Sequence, residues 1–284
     1  GVKIYLKDDV DILVNGKIIF DGLTENPISI FSHNKSWGGI LLDNCTDKSI
    51  FNHVNFHNST YGNDSSMINA TISSYYSEVE VNNCKFINNA RSIYGYYGDV
   101  AVSTCVFFES AGEKVNLQYS KSLVEDCILY YTYGDNDAID YDGVFNGIIR
   151  NNILYGGEDD GLDIGRIDAT SCNNVLLEGN TIYSFVDKGV SIGEGSQDIN
   201  ISYNTITTSR MGIAVKDSST AIVDHNTLYN NTFGVSCYEK NYGDGGGIAS
   251  INNTIISQSI ISTIDADNTS EIDINYSLSD VVLM

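Results

Sequence analysis

Proline is almost absent from this sequence, and so are the features of a helical or membrane-embedded fold. Pro27 is the single proline among 284 residues, as expected where nearly every backbone N–H is needed for hydrogen bonds between strands. No segment of about 15 residues has a sustained helical periodicity. No apolar run approaches the ~20 residues that a membrane-spanning helix needs. The sequence therefore argues against a helical bundle and predicts no insertion into a membrane.

Positive charge is also scarce. Lysine and arginine number 15 against 37 aspartates and glutamates, which gives a formal net charge of −22. Binding of nucleic acid relies on a positive surface, so the composition argues against nucleic acid as a partner. It also argues against unaided binding of acidic polysaccharides, although divalent cations would turn the same acidity into an advantage. The other interpretation of the acidity is solubility, or a protein that works in a salt-exposed environment.

What the sequence does contain is a repeated triplet. An asparagine or a cysteine opens each copy, and an apolar residue stands two positions later. The opening residues are Cys84, Cys105, Cys127, Asn152, Asn180, Asn204, Asn226 and Asn253, at steps of 21 to 28 residues. Such a period is typical of proteins that stack one strand-and-turn unit on the next. We expect these residues to form one column at a corner of the coil, with the asparagine amides buried and hydrogen-bonded.

A second series runs in phase with the first. Its members are Ala138, Gly161, Gly189, Gly212 and Gly234, and an apolar-x-apolar triplet follows each of them, from Ile139, Leu162, Val190, Ile213 and Val235. Two series that share one drifting period are hard to obtain by chance. They predict an all-β solenoid of about 11–12 rungs (single turns of the coil), on the order of 50 Å long at ~4.8 Å per rung.

Six cysteines accompany these series. They are Cys45, Cys84, Cys105, Cys127, Cys172 and Cys237, and they fit neither a C-x-x-C metal site nor a small disulfide scaffold. We expect buried thiols that behave as small apolar side chains. A disulfide between neighbouring rungs is also compatible with the expected spacing.

The organisation along the chain predicts a single β-helix domain over residues 1–284. Residues 1–100 should hold irregular rungs, with loops at 61–75 and 90–100; residues 101–255 should form a regular coil, and 256–284 the last rungs. The chain ends in the apolar residues Val281, Val282, Leu283 and Met284 without a polar cap. Because solenoids normally need capping repeats, we expect this domain to be part of a longer secreted or cell-surface polypeptide.

Aligning the rungs by the second series stacks acidic residues above one another. The stacked set consists of Asp135, Asp137, Asp140, Asp159, Asp160 and Asp163. Like charges one strand apart repel and raise one another's pKa, so something must offset them. The candidates are a bound cation, shared protons, or Lys188 on the rung above Asp160. Calcium is the best candidate because it takes six to eight oxygen ligands with loose geometry; the other interpretation is a set of solvated turn residues.

At these residues the chain resembles the right-handed parallel β-helices of pectate lyases and polygalacturonases, over about residues 101–255. The resemblance implies a single-stranded right-handed parallel β-helix. Calcium-dependent lyases of the family-nine polysaccharide lyase type hold calcium with an Asp-Asp-x-x-Asp set and an aspartate one rung earlier. Asp159, Asp160 and Asp163 match that set, with the Asp135–Asp137 segment one rung below.

The polygalacturonase series has a different pattern, Asn-Thr-Asp, Asp-Asp, Gly-His-Gly and Arg-x-Lys. The corresponding rungs here read Asp135-Asn136-Asp137, Asp159-Asp160, Asp187-Lys188-Gly189 and Ala214-Val215-Lys216. The histidine and the arginine are missing, which argues against that hydrolytic mechanism. Residues 187–194 and 212–219 are also similar to surface β-helix modules attached to spore-coat-H-like proteins, which keeps a non-catalytic function open.

The leading prediction is an extracellular or cell-surface protein that acts on an acidic polysaccharide or surface glycan by calcium-assisted β-elimination. The lyase resemblance implies a lysine base, for which Lys188 is the first candidate and Lys216 the substitute. The candidate substrate-binding residues are Arg166, Arg210 and Tyr238. A lysine base must lose its proton near neutral pH, which calcium favours and nearby carboxylates oppose. The main alternative is a non-catalytic adhesive or structural rod whose acids bind calcium; a polygalacturonase-like hydrolase and a phage tail component come after it.

Overall fold

The computed structural model describes residues 1–60 and 67–279, and every regular element in them is a β-strand. The first twelve strands are β1 Lys3–Leu6, β2 Ile12–Val14, β3 Ile19–Asp21, β4 Ile28–Ser32, β5 Ile40–Asp43, β6 Ser49–Asn52, β7 Val54–His57, β8 Ile72–Tyr75, β9 Val79–Asn82, β10 Lys85–Ile87, β11 Ile93–Tyr96 and β12 Asp99–Ser103. The next twelve are β13 Val106–Phe107, β14 Val115–Gln118, β15 Lys121–Glu125, β16 Ile128–Thr132, β17 Ile139–Asp142, β18 Ile148–Arg150, β19 Ile153–Gly157, β20 Leu162–Ile167, β21 Thr170–Ser171, β22 Asn173–Glu178, β23 Thr181–Phe185 and β24 Lys188–Ile192. The last are β25 Gln197–Ser202, β26 Thr205–Thr207, β27 Met211–Lys216, β28 Thr220–Asp224, β29 Thr227–Tyr229, β30 Phe233–Tyr238, β31 Ile248–Asn252, β32 Ile255–Ser257, β33 Ser262–Ala266, β34 Glu271–Asn275 and β35 Leu278–Ser279.

The strands form three parallel sheets that run the length of the coil. Sheet 1 follows the order β1-β4-β7-β10-β13-β16-β19-β23-β26-β29-β32-β35, sheet 2 the order β2-β5-β8-β11-β14-β17-β20-β24-β27-β30-β33, and sheet 3 the order β3-β6-β9-β12-β15-β18-β22-β25-β28-β31-β34. The short strand β21 pairs antiparallel with the end of β20 as a lateral hairpin. Three sheets visited in turn make a β-solenoid of about 11 turns, as predicted. No helix of membrane-spanning length and apolarity occurs in the part of the chain that the structure describes.

The second sequence series forms the predicted apolar column on the inner side of sheet 2. Its members pair in the order Ile139, Leu162, Val190, Ile213 and Val235, and each of them is fully buried. The column extends beyond the predicted segment, because Val115 pairs below Ile139 and Ile264 above Val235. Alternation along each strand then sends the residue between two buried neighbours outward. This register decides which side chains reach the candidate site.

The corner column follows the prediction up to its last member. The side chains of Asn180, Asn204 and Asn226 each accept the backbone N–H of the asparagine one rung below, at 2.9–3.0 Å. The next position is held by Thr254, whose Oγ1 accepts the Asn226 N–H at 3.2 Å. The prediction for Asn253 is wrong by one residue. Pairing of Ile256 with Leu228 sets the register, and the extra corner residue Asn253 adopts a φ of 47°, which asparagine tolerates.

The thiols of the same column behave as predicted. Cys84 donates its backbone N–H to Cys105 Sγ, and Cys105 donates its own to Cys127 Sγ, both at 3.4 Å. All six cysteines are buried and unbridged. The thiol column therefore substitutes for asparagine in the lower rungs and contributes small apolar volume.

The predicted loop at 90–100 is wrong, and the predicted loop at 61–75 is wrong for its last four residues. Strand β8 ends the 61–75 segment, and β11 and the start of β12 occupy 90–100; residues 61–66 lie outside the described part of the chain. The tyrosine-rich run of β11 belongs to a stack between rungs. The rings of Tyr76, Tyr97 and Tyr119 lie nearly parallel, with centroids 5.4 and 4.4 Å apart. These rings lie on the outside of the coil, where Tyr76 and Tyr97 are about half exposed, and their stacking links successive rungs.

Candidate functional site

The candidate site lies on the outer side of sheet 2, where β17 and β20 pair. Asp140 pairs with Asp163, and both point outward because their neighbours along the strand are buried in the core. Asn116 continues this outer row one rung below and Ser191 one rung above. The predicted stacking of acidic residues therefore holds for this pair.

A second row of charged residues precedes these strands at the corner. The Asp160 N–H donates to Asp137 Oδ1 at 3.0 Å, and the Lys188 N–H donates to Asp160 Oδ1 at 2.9 Å. Each carboxylate is thus fixed by the backbone of the rung above it. Asp160 is 3 % exposed, so its charge lies in a poorly hydrated position that requires a partner.

The carboxylates converge in two groups of three. Oxygens of Asp137, Asp159 and Asp160 lie within 4.8 Å of one another, and so do oxygens of Asp137, Asp140 and Asp163. We call these five residues the acidic face. Asp135, the sixth predicted ligand, is exposed on the turn before Asp137 and belongs to neither group.

Burial and mutual repulsion raise the pKa values of several of these carboxylates. Burial raises the pKa of Asp137 well above its ordinary value, and repulsion from Asp163 adds to it. Burial and then the charge of Asp142 raise the pKa of Asp140 in the same way. Burial, reinforced by Asp163, raises the pKa of Asp160 to about 7 although Lys188 pulls it down. Shared protons or a bound cation are the two ways to relieve this repulsion.

Two further acidic residues were not among the predicted ligands. The Cβ that Gly165 lacks would lie 3.1 Å from Glu194 Oε2 and 3.3 Å from Asp142 Oδ1. The carboxylates of Glu194 and Asp142 therefore both lie next to Gly165, two residues after Asp163. Burial, repulsion from Asp163 and then from Glu194 raise the pKa of Asp142 to about 7. Asp142 could have been found from its position two residues after Asp140, whereas Glu194 stands on a corner and carries no spacing signal.

Both predicted lysine bases are buried beside the acidic face. Lys188 Nζ lies 3.2 Å from both carboxylate oxygens of Asp160 and also contacts Asp187. Burial lowers the pKa of Lys188, but Asp160 and Asp187 outweigh it, so the pKa lies above its ordinary value. The pKa of Lys216 is likewise raised, by Asp163 against burial. Lys188 and Lys216 are 5 % and 3 % exposed, so both act in this state as charged partners of the carboxylates.

The three predicted substrate-binding residues lie at different distances from this cluster. Tyr238 pairs with Lys216 on the next rung, and burial raises the pKa of its hydroxyl while Lys188 lowers it. Arg210 Nη1 binds Asp187 Oδ1 at 2.8 Å, which links it to the cluster through one carboxylate. Arg166 is exposed at the base of the β20–β21 hairpin. The structure therefore groups Tyr238 and Arg210 with the lysines and leaves Arg166 at the margin.

The donor set of the acidic face fits a hard divalent cation. All side chains in both groups are carboxylates, the ligands that calcium prefers. Three oxygens of the outer row on the rungs of the acidic face and next to them, Asn116 Oδ1, Asp163 Oδ1 and Ser191 Oγ, are buried and lack a hydrogen-bond partner among the described residues; Ser236 Oγ, two rungs above Ser191, is a fourth such atom of this row. Buried polar atoms are normally paired, and an ion is one of the explanations for such exceptions. Asp137, Asp140, Asp159, Asp160 and Asp163 would hold the cation, whereas exposed Asp135 lies outside the carboxylate groups.

Several solved β-helix structures resemble the chain at low sequence identity. The A-module of mannuronan C-5 epimerase AlgE4 from Azotobacter vinelandii is 15 % identical, with a TM-score of 0.52 over 98 % of this chain and 87 % of that one. A mannuronic acid specific polysaccharide family 6 lyase from human gut microbiota is 13 % identical, with a TM-score of 0.53 over 96 % of this chain and 76 % of that one. The catalytic domain of a GH87 α-1,3-glucanase in complex with tetrasaccharides is 10 % identical, with a TM-score of 0.58 over 95 % of this chain and 63 % of that one.

At the level of sequence, no curated protein matches the chain. Residues 100–259, more than half of the chain, match the family described as the right-handed beta helix region. That segment contains β17, β20, β24 and β27, which carry the acidic face and both lysines. The chain belongs to the right-handed β-helix family.

Proposed function

We propose that this protein acts on a uronate-containing polysaccharide by cation-assisted β-elimination at the acidic face. The observation that carries the proposal is the convergence of two carboxylate groups with Lys188 and Lys216 on one side of sheet 2. A polyanionic substrate would not approach five carboxylates unaided, because like charges repel. Calcium bound there would neutralise a uronate carboxylate and acidify the proton on the adjacent C5 atom.

The lysines would perform the proton transfer. Lys188 Nζ, or Lys216 Nζ in its place, takes the C5 proton; the C4–O glycosidic bond breaks, a C4–C5 double bond forms, and the leaving oxygen takes a proton from water. A lysine base has to be neutral. The Lys188 ammonium, which is paired with Asp160 and Asp187, must therefore lose a proton to one of these carboxylates or to water before its Nζ can act as the base. We assign Tyr238 and Arg210 to contacts with the sugar and Arg166 to the outer end of the substrate.

The substrate class draws support from two of the similar structures. One is a mannuronan epimerase and the other a mannuronic acid specific lyase, so the same fold serves uronate polymers elsewhere. At 13–15 % identity this likeness fixes the fold and not the chemistry. We place the protein outside the cell or on its surface, where such polysaccharides occur.

The test is product formation from defined uronans. Alginate, polymannuronate and polygalacturonate are incubated with the protein, with calcium or with a chelator, and the ultraviolet absorbance of an unsaturated product is followed. We expect product only with calcium, and we expect Lys188→Ala to abolish it while calcium affinity changes little. Lys121→Ala, at an exposed lysine on β15 of sheet 3, is the matched control and should keep full activity. Equal product from Lys188→Ala would contradict the assigned base.

A non-catalytic glycan-binding or structural rod is the second candidate. The observation that favours it is the near-complete burial of Lys188 and its ion pairs with Asp160 and Asp187. In that case the lysine compensates charge and never exchanges a proton with substrate. Calcium would then raise the melting temperature by mass action, and Asp160→Asn combined with Asp163→Asn would abolish the gain. No uronan would yield an unsaturated product under any condition.

A further inference from the structure

The acidic face has more than one centre. Calcium binds oxygens at about 2.3–2.6 Å, so two ligands of one ion lie at most about 5 Å apart. The described acidic residues meet that limit in two separate groups of three rather than in one group of five. Asp159 and Asp160 belong to the first group, and Asp140 and Asp163 to the second. A single ion therefore satisfies one group and leaves the other uncompensated.

The second group carries independent signs of a missing ligand. Asn116 donates its amide to Asp140 Oδ2 at 2.5 Å, and its own Oδ1 has no partner within the described ranges. Ser191 is fully buried on the rung above Asp163, and its Oγ lacks a partner there as well. Asp163 Oδ1 is the third such atom. These three unpaired oxygens share one row with Asp140, whereas the first group relies on the corner row.

The two groups meet at one carboxylate. Asp137 belongs to both groups, and its Oδ1 is held by the Asp160 N–H at 3.0 Å. A carboxylate has about four lone-pair positions, so one bond to a backbone N–H leaves room for two cations. Lys188 already supplies the positive charge that pairs with Asp160. None of the three carboxylates of the second group, Asp137, Asp140 and Asp163, forms a salt bridge within residues 1–60 and 67–279.

We propose that the acidic face binds two divalent cations, one in each carboxylate group, with Asp137 as the shared ligand. The hard oxygen donors select calcium or a similar ion. Asn116 Oδ1 and Ser191 Oγ complete the second site on the outer row. The inference rests on the proposed cation dependence of this face and is independent of whether the lysines catalyse elimination.

The experiment counts bound calcium. Protein freed of metal by a chelator is titrated with calcium chloride in a calorimeter, and equilibrium dialysis gives an independent count. The wild type should bind two equivalents. Asp140→Asn should bind one and Asp159→Asn one, because each substitution removes a ligand from one group. Asp137→Asn should weaken both sites, and Ser191→Ala should weaken one of them by about 10-fold.

The controls separate a lost site from a lost fold. Asp135→Asn removes an exposed acid on the same turn that lies in neither group, so it should keep two equivalents. Circular dichroism checks that each variant keeps its strands. One equivalent for the wild type, or two equivalents for Asp140→Asn, would overturn the shared-ligand arrangement. No binding would overturn this inference and the cation-assisted function together, whereas two equivalents without any uronan product would refute only the lyase.

Discussion

At the scale of single residues, asparagine suits the corner column because one side chain both accepts and donates. Asn204 Oδ1 accepts the Asn180 N–H at 2.9 Å and the Asn180 amide at 3.0 Å. Its Nδ2 donates to Leu177 O at 2.9 Å and to Asn226 Oδ1 at 3.1 Å. Every one of these groups is buried, so the amide ladder replaces the water that the corner backbone would otherwise bind.

Replacing Asn204 with alanine should therefore destabilise the coil. The substitution leaves the buried Asn180 N–H without a partner, at a cost of about 1–3 kcal/mol, and removes one hydrogen bond to the Leu177 carbonyl. Asn200→Ala is the matched control, because Asn200 is an exposed asparagine on β25, and it should change stability by less than about 0.5 kcal/mol. Urea unfolding measures both. Equal losses in the two variants would mean that the ladder contributes little.

The same scale shows what the sequence could and could not predict of the site. Asp140 and Asp163 followed from their place two residues after Ala138 and Gly161, since strand alternation fixes that direction. Glu194 did not, because it stands on a corner whose length varies from rung to rung. The sequence predicted that Lys188 lies next to Asp160 but not that it also pairs with Asp187. A rotamer decides which carboxylate an ammonium meets, and spacing along the chain does not encode it.

At the scale of strands and loops, one buried aspartate organises the long turn between β30 and β31. Asp217 is 1 % exposed. Its Oδ1 accepts the backbone N–H groups of Lys240 and Asn241 at 2.7 and 2.8 Å, and its Oδ2 accepts the Asn241 amide at 2.9 Å. The loop of one rung is thus anchored to the corner of the rung below. Three donors aimed at one carboxylate also satisfy its oxygens, which allows the side chain to be buried there.

Asp217→Ala should release this loop without unfolding the coil. We expect trypsin to cleave after the exposed Lys240 several times faster than in the wild type, because local opening exposes the backbone to the protease. Asp244→Ala alters an exposed side chain in the same loop and should leave the cleavage rate unchanged. Unchanged cleavage in Asp217→Ala would show that the loop is held by its remaining contacts.

Sequence periodicity predicted the strands best where one apolar template repeats. It failed by one residue at Asn253, because a single inserted corner residue fits the triplet as well as the true position does. Only the pairing of Ile256 with Leu228 distinguishes the two registers. It also failed in β8 and β11, where serine, glycine and tyrosine hide the alternation of apolar residues. Small residues such as Ser74 and Gly95 occupy inward positions there, between the buried residues of the core, and the tyrosines face outward.

At the scale of the whole molecule, the acidic face couples stability to pH. Burial and repulsion raise the pKa of Asp142 and of Asp160 to about 7, and the pKa values of Asp137 and Asp140 are also raised. In the unfolded chain these groups titrate near the ordinary aspartate value of about 3.9. Between about pH 4 and about pH 7 the folded chain therefore binds more protons than the unfolded chain. Stability must therefore fall as pH rises through this window, the opposite of the usual behaviour of ion-paired aspartates.

In a chelator, the melting temperature should consequently decrease between about pH 5 and about pH 7. The double variant Asp142→Asn and Asp160→Asn should show a flatter profile, because amides do not titrate. The contributions of other titrating groups are the same in both proteins and cancel in this comparison. Burial lowers the pKa of His57, which opposes the trend equally in the wild type and the double variant. Burial lowers the pKa of Lys114 to about 7, so its contribution falls mainly above this pH window. Saturating calcium should flatten the wild-type profile too, since cations replace the protons. Parallel profiles for the wild type and the double variant without calcium would show that these two carboxylates are already compensated within the fold.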